Sequence, residues 1–207
     1  MNVEFREYQK QDFQALKNVI RETWNYDKFA SPETASKLAE VFLTSCLTNY
    51  TFSQVAVLEG RPVGIILGKN IRKHKCPIKH RLDQIASILA LYRSREGRSV
   101  SKMFRNINGI DRQLLIECKK DYPAELALFA VSSACRGKGI GKALFQSALN
   151  YFKEQNLDEF YLFTDTSCNY GFYEHQGMIR RCEKDLMFHV GGQDALMKFF
   201  IYDHCTS

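Results

Sequence analysis

Three glycines at alternate positions, in Arg136-Gly137-Lys138-Gly139-Ile140-Gly141, lie between two runs of different periodicity. Before them, Glu125 to Val131 is a mostly apolar run of strand length, suited to a buried position. After them, Ala143, Leu144, Ala148, Leu149 and Phe152 recur at helical spacing and mark one apolar face. A strand, a tight glycine turn and a helix in that order commit the chain to a mixed α/β (α+β) fold with this unit at its centre.

The turn also has a chemistry. Without Cβ atoms at 137, 139 and 141, a ligand can come close to the backbone. The first amides of a helix have no acceptor within it, and the helix dipole adds positive potential there. Such a turn binds phosphate oxygens, with Lys138 and Lys142 adding charge and Arg136 a planar fork. Spacing excludes two nucleotide motifs. G-x-G-x-x-G fails because Lys142 and Ala143 follow Gly141, and a Walker loop fails because Gly141-Lys142 is followed by Ala143 and lacks the upstream glycine. The alternative for the turn is a helix cap with close packing.

The rest of the chain alternates in kind. Val3 to Arg6 reads as a short strand, and Asp12 is a cap for a helix whose face carries Phe13, Leu16, Val19 and Ile20. Ser31-Pro32-Glu33 starts a second helix that runs to about Thr48. Phe52 to Leu58 and Val63 to Leu67 form a hairpin around Glu59-Gly60-Arg61-Pro62. Then helical spacing returns over Lys79 to Tyr92, and over Val100 to Cys118 through Met103, Phe104, Ile107, Ile110 and Leu114. After the turn's own helix come a strand at Phe160 to Thr164 and a short helix from Asn169 to His175, ended by Gly177. Two final strands, Ile179 to Phe188 and Leu196 to Tyr202, flank Gly191-Gly192. Residues 1–207 thus read as one domain, and 69–121 as a basic, mainly helical block inserted into it.

Charge is local rather than global. The net +6 resolves into +9 over residues 69–121 and −3 elsewhere. A basic patch of this kind suits an acidic substrate, an anionic cofactor tail or nucleic acid, or is simply solvated. Aromatics in it are sparse and no nucleic-acid motif appears, which disfavours nucleic acid. Seven scattered cysteines without a C-x-x-C pair argue against a disulfide framework or a metal site, and for reduced thiols in a cytoplasmic protein. No apolar run approaches the ~20 residues of a membrane span.

The stretch Val131 to Leu144 resembles the coenzyme A signature of the GNAT superfamily, (Arg/Gln)-x-x-Gly-x-(Gly/Ala), with Arg136, Gly139 and Gly141 matching in order. Further on, Phe172-Tyr173-Glu174-His175-Gln176-Gly177-Met178 is similar to the family's second signature, with Met178 in place of its usual phenylalanine. The resemblance runs best over 124–188, extends over 1–68 and does not include 69–121.

The resemblance implies a mixed, mostly antiparallel central sheet flanked by helices, with the helical block placed before the coenzyme-binding strand. It implies an acetyl-CoA-dependent N-acetyltransferase, with acetyl-CoA as co-substrate and no metal, whose acceptor amine attacks the thioester directly. Val131, Ser132 and Ser133 would offer backbone groups to the pantetheine arm and the thioester carbonyl. Arg136, Gly137, Lys138, Gly139, Ile140, Gly141 and Lys142 would wrap the pyrophosphate. Tyr173 would be the general acid for the leaving sulfur, its phenol having a reference pKa near ~10. Glu125 is the candidate base; by the two-residue period it shares a strand face with Ala127, Phe129 and Val131. Asp165 is a second candidate. Asn169 is a cap or a coenzyme contact, and Cys135 and Cys168 lack a patterned His partner for a covalent role. Trp24, Tyr26 and Phe29 would line the acceptor's lid. The acceptor is a small-molecule or peptide amine, and the resemblance allows a homodimer. The same fold also admits a non-catalytic acyl-CoA sensor.

Overall fold

The structure is a computed structural model that describes residues 2–190 and 193–205, with backbone alone for 103–106, 108, 188–190 and 193–195. The turn expected at Gly191-Gly192 and the side chains of Met103, Phe104 and Phe188 lie outside the described residues.

Apolar alternation and helical spacing become strands and helices in one sheet-centred domain. In chain order these are β1 (Val3–Arg6), α1 (Phe13–Thr23), α2 (Pro32–Leu47), β2 (Phe52–Leu58), β3 (Arg61–Asn70), α3 (Ile78–Tyr92) and α4 (Arg95–Cys118). There follow β4 (Ala124–Val131), α5 (Ile140–Glu154), β5 (Glu159–Asp165), α6 (Gly171–His175), β6 (Ile179–Val190) and β7 (Gln193–Cys205). The seven strands form one sheet in the order β1-β2-β3-β4-β5-β7-β6, antiparallel throughout except where β4 meets β5.

Local chemistry explains most boundaries. Ser31 caps α2 by accepting from the Thr34 amide, with Pro32 in the first turn. Asp12 departs from the expected role: no side-chain cap bond reaches α1. Its buried carboxylate instead accepts the Gln9 amide at 2.8 Å and both arms of the Arg6 guanidinium at 2.7 Å. A bidentate charged partner outcompetes a single helix amide.

The sheet is covered on both faces. On one, α5 sets Leu144, Phe145 and Phe152 against Ile66, Leu126 and Phe160. On the other, α1 and α2 bury Leu16, Ile20 and Leu43 against Val55, Ile65 and Leu67. The helical block lies beside them: α4 packs Ile110 and Leu114 on Tyr161, Phe199 and Ile201, covering the second half of the sheet. Outward, α3 presents Ile78, Leu82, Ile85 and Leu89 to solvent. Among the described residues no helix is long and apolar enough to cross a membrane.

Candidate active site

The sheet is split. Among the described residues, β4 and β5 pair in parallel at Ala124 opposite Phe160 and Glu125 opposite Tyr161, and no further. Beyond that point they diverge, leaving an edge of β4 unpaired in mid-sheet. On its other side β4 pairs with β3, but the register jumps from Leu67–Leu128 to Gly68–Leu126, so Ala127 is an extra, bulged residue. The bulge exchanges faces. Phe129 and Val131 pack with the α5 cluster, whereas Ala127 packs with the α1/α2 cluster. Glu125 lies on the α2 side too, where it meets Asn49. The strict two-residue period, which put Glu125 on the face of Phe129 and Val131, fails for this reason.

Between the diverging strands opens a cleft of about 580 Å³. One end is the glycine turn. Gly137 and Gly139 hold φ of +74° and +77°, and a Cβ at either would meet nothing within 4 Å. Left-handed backbone and open space above the loop are what glycine supplies there. Gly139 is the N-cap of α5 and no side chain caps it, so the first amides of α5 face outward. Gly141 serves packing, since its added Cβ would touch the Phe129 ring at 3.5 Å. Val131, Arg136, Gly137, Gly139, Ile140, Gly141 and Lys142 all line the cleft.

Ser132, Ser133 and Lys138 are not brought to its lining. The Ser132 amide donates to the Val63 carbonyl of β3 at 2.8 Å. By strand alternation the amide of Val131 therefore points the other way, into the split. Ser133 is engaged by Glu22 of α1, whose carboxylate accepts from its amide at 3.1 Å and from its hydroxyl, with the Ser132 hydroxyl at 3.2 Å. Lys138 is exposed to solvent.

Tyr173 stands deeper in the cleft, 9% exposed, edge-on to Phe172 and Phe129. Among the described residues its hydroxyl has no hydrogen-bond partner. Burial, with Cys168 and Asp165 nearby, holds the phenol well above its usual value, so it keeps its proton. Burial and Asp165 push the neighbouring Cys168 thiol up to about 11, which makes it a poor nucleophile near neutrality. Asn169 also lines the cleft, and its carbonyl accepts the Phe172 amide at 3.1 Å.

The opposite wall belongs to α1, α2 and α4. Trp24, Tyr26 and Phe42 face the cleft there, with Trp24 and Phe42 rings 4.7 Å apart; Phe29 does not line it. Glu125 is tied to Asn49 at 3.2 Å and to Lys69 at 3.5 Å. Asp165 also lines this cleft. A third carboxylate, Asp111, enters from α4. Burial, then the charges of Asp165 and Glu125, push Asp111 up to about 7. Asp111 has no signature in the sequence, being one of five acids in the most basic stretch of the chain. The one available hint is helical spacing, which sets it next to Ile107 and Ile110 on the apolar side of α4. Among the described residues no His, Cys, Asp or Glu group is placed to hold a metal ion.

Comparison with known proteins agrees with this geometry. Residues 111–178, from Asp111 to Met178, match the Acetyltransferase (GNAT) family. No curated protein matches the sequence. Among solved structures, a protein named SsHAT is similar over 100% of both chains at 17% identity, with a TM-score of 0.64. Arylalkylamine N-acetyltransferase 2 from Aedes aegypti is similar over 100% of both chains at 16% identity and a TM-score of 0.62. The PaiA N-acetyltransferase from Thermoplasma acidophilum, in complex with coenzyme A, is similar over 99% of both chains at 17% identity and a TM-score of 0.50. The matched segment, residues 111–178, spans the glycine turn and Tyr173 and is similar to the acetyltransferase (GNAT) family, and the fold around it is shared with these solved structures.

Proposed function

We propose that the protein is an acetyl-CoA-dependent N-acetyltransferase that moves an acetyl group to a primary amine by direct attack. The observation that carries this reading is the split sheet, whose cleft runs from an uncapped, glycine-lined helix start to a buried, protonated tyrosine. The pyrophosphate of the coenzyme would lie on the amides of Ile140, Gly141 and Lys142, with Arg136 and Lys142 supplying charge. The pantetheine arm would follow the unpaired edge of β4. There the Val131 amide points into the split and can donate to the thioester oxygen as negative charge develops on it.

Holding amine and thioester side by side provides much of the acceleration through proximity. The amine must be neutral to attack, so a carboxylate on the acceptor wall takes its proton; Glu125, Asp165 and Asp111 stand there. Collapse of the intermediate expels a thiolate, and the Tyr173 phenol gives it a proton. A covalent route through Cys168 is disfavoured by its raised thiol pKa of about 11.

Acetyl-CoA should raise the unfolding midpoint of the protein, and an amine panel with acetyl-CoA should release free thiol. Tyr173→Phe should lower kcat by roughly 100-fold while coenzyme affinity stays within about twofold. Full activity of that variant at every pH tested would remove Tyr173 from the mechanism. Gly139→Glu, which sets bulk and negative charge against the phosphates, should abolish the midpoint shift. A sensor on the same fold would give the shift and no thiol with any amine.

A further inference from the structure

The helical block contributes a group to the cleft, and the character of the wall it completes is opposite to that of the block. Residues 69–121 are strongly basic, yet among the described side chains of α4 the charged one that lines the cleft is an acid. Three walls converge on the same space. Asp111 comes from α4, Glu125 from β4 and Asp165 from the end of β5, beside the rings of Trp24, Phe42 and Phe163. Against these stand Lys69 of β3, which is spent on Glu125, and Arg136 and Lys142, which line the same cleft at its glycine-turn end. Tyr161 of β5 is held protonated by burial and by the charge of Glu125. Elsewhere on α4, Arg112 is exposed and Glu117 is paired with Lys184 of β6. No positive charge among the described residues answers Asp111.

We propose that Asp111, carried on helix α4, receives the proton of the acceptor, and that this acceptor is an organic cation, a primary ammonium with an apolar body rather than an acidic peptide. The inference rests on the acetyltransferase reading and specifies its acceptor side. Negative potential from three carboxylates draws an ammonium into the cleft, and the aromatic rims cover its carbon skeleton. Glu125 is a positioning residue in this scheme. Its oxygen is committed to Lys69 and Asn49, and its charge faces Asp111.

The proton balance closes. One ammonium proton passes to the Asp111 carboxylate, and the freed nitrogen lone pair forms the C–N bond as the carbonyl π pair moves to oxygen. That pair returns, the C–S bond breaks, and the thiolate takes the proton of Tyr173. The second nitrogen proton, lost as the amide forms, restores Tyr173 through solvent, and Asp111 returns its proton to solvent. Ammonium and acetyl thioester become amide, thiol and one proton. Asp111 can do this near neutrality because its carboxyl titrates at about 7.

The test is the pH dependence of kcat/KM for 2-phenylethylamine at saturating acetyl-CoA. The unaltered protein should lose activity on the acid side through about pH 7, as Asp111 gains its proton. Asp111→Asn should lower kcat/KM by about 100-fold or more and remove that limb, with the acetyl-CoA midpoint shift unchanged. Asp111→Glu should restore part of the rate and the limb. Glu125→Gln should stay active with its limb moved to lower pH, because one charge that raises Asp111 is gone. A limb near 7 that survives in Asp111→Asn, or vanishes in Glu125→Gln, overturns the assignment. A hexapeptide with acidic residues after its amino terminus should react at least tenfold more slowly than 2-phenylethylamine; a faster reaction overturns the acceptor class. If the unaltered protein binds acetyl-CoA yet acetylates no amine, the enzymatic reading falls and this one with it.

Discussion

Glu22 is the residue whose position is least expected beside the proposed phosphate site. Its carboxylate takes the Ser133 amide and both serine hydroxyls at the rim of the turn, next to Arg136. Those hydrogen bonds, the one from the Ser133 hydroxyl first, hold it below the usual carboxylate range, so it is ionised at any working pH. A fixed negative charge there competes with a phosphate for donors and offsets the Arg136 fork. Glu22→Gln should therefore tighten acetyl-CoA binding a few-fold at low salt, with the gain fading as ionic strength rises, because the site is exposed. Calorimetric titration at two salt concentrations reads this directly; weaker binding would mean that Glu22 orders the turn instead. Glu22 and Ser133 are 111 residues apart in the chain, so no motif announces the contact. The local settings of Gly139 and Tyr173 were legible for the converse reason. What each needs is fixed by near neighbours, a left-handed N-cap in one case and an aromatic-Tyr-Glu helix in the other.

For the secondary elements, periodicity was a good guide where one face is buried and a poor one where the ladder is irregular. The second helix of the basic block begins at Arg95 rather than about Val100, since the amphipathic pattern starts only after a polar first turn. That turn does structural work. Ser94 caps it by accepting from the Gly97 amide at 2.9 Å. Glu96 reaches across to accept from the Ser31 amide at 2.7 Å and hydroxyl at 2.6 Å, joining the starts of α2 and α4. Gly97 itself is pressed against the Leu91 carbonyl at the end of α3, where a Cβ would collide with backbone. Gly97→Ala should therefore shift α4 on its neighbours and cost about 1–3 kcal/mol, a fall of roughly 3–10 °C in Tm. Since α4 carries Asp111, KM for the amine should rise while Kd for acetyl-CoA holds. An unchanged KM in a folded variant would detach α4 from acceptor binding. The bulge at Ala127 had no comparable signal, because alternation through Leu126, Leu128 and Ala130 looks uninterrupted in the sequence. Its effect, the transfer of Glu125 to the α2 side, appears only once β3 supplies the register.

For the whole molecule, the consequence of the split is that two half-sheets, β1 to β4 and β5-β7-β6, share a short ladder at one end. The α5 helix spans the split on one face, packing Phe145 and Phe152 against Phe160 beside Leu126. On the other face the bridging falls to α4, whose cluster covers β5 and β7, and to Lys120 just after it, which pairs with Asp203 at 2.9 Å. Where the strands diverge, backbone groups of β4 that would be paired in a continuous sheet face the cleft instead, and such groups exchange hydrogen readily. On the proposed function, a coenzyme arm lying along that edge would replace the missing strand. Acetyl-CoA at 100 times its Kd should add about 2.7 kcal/mol and raise Tm by roughly 5–10 °C. More specifically, it should slow hydrogen exchange along both lips of the split, at 126–131 and 162–165, and leave β1 and β2 as they were. Protection confined to the glycine turn would mean that the nucleotide half binds while the split stays open, and the half-sheets would then need another explanation for their separation.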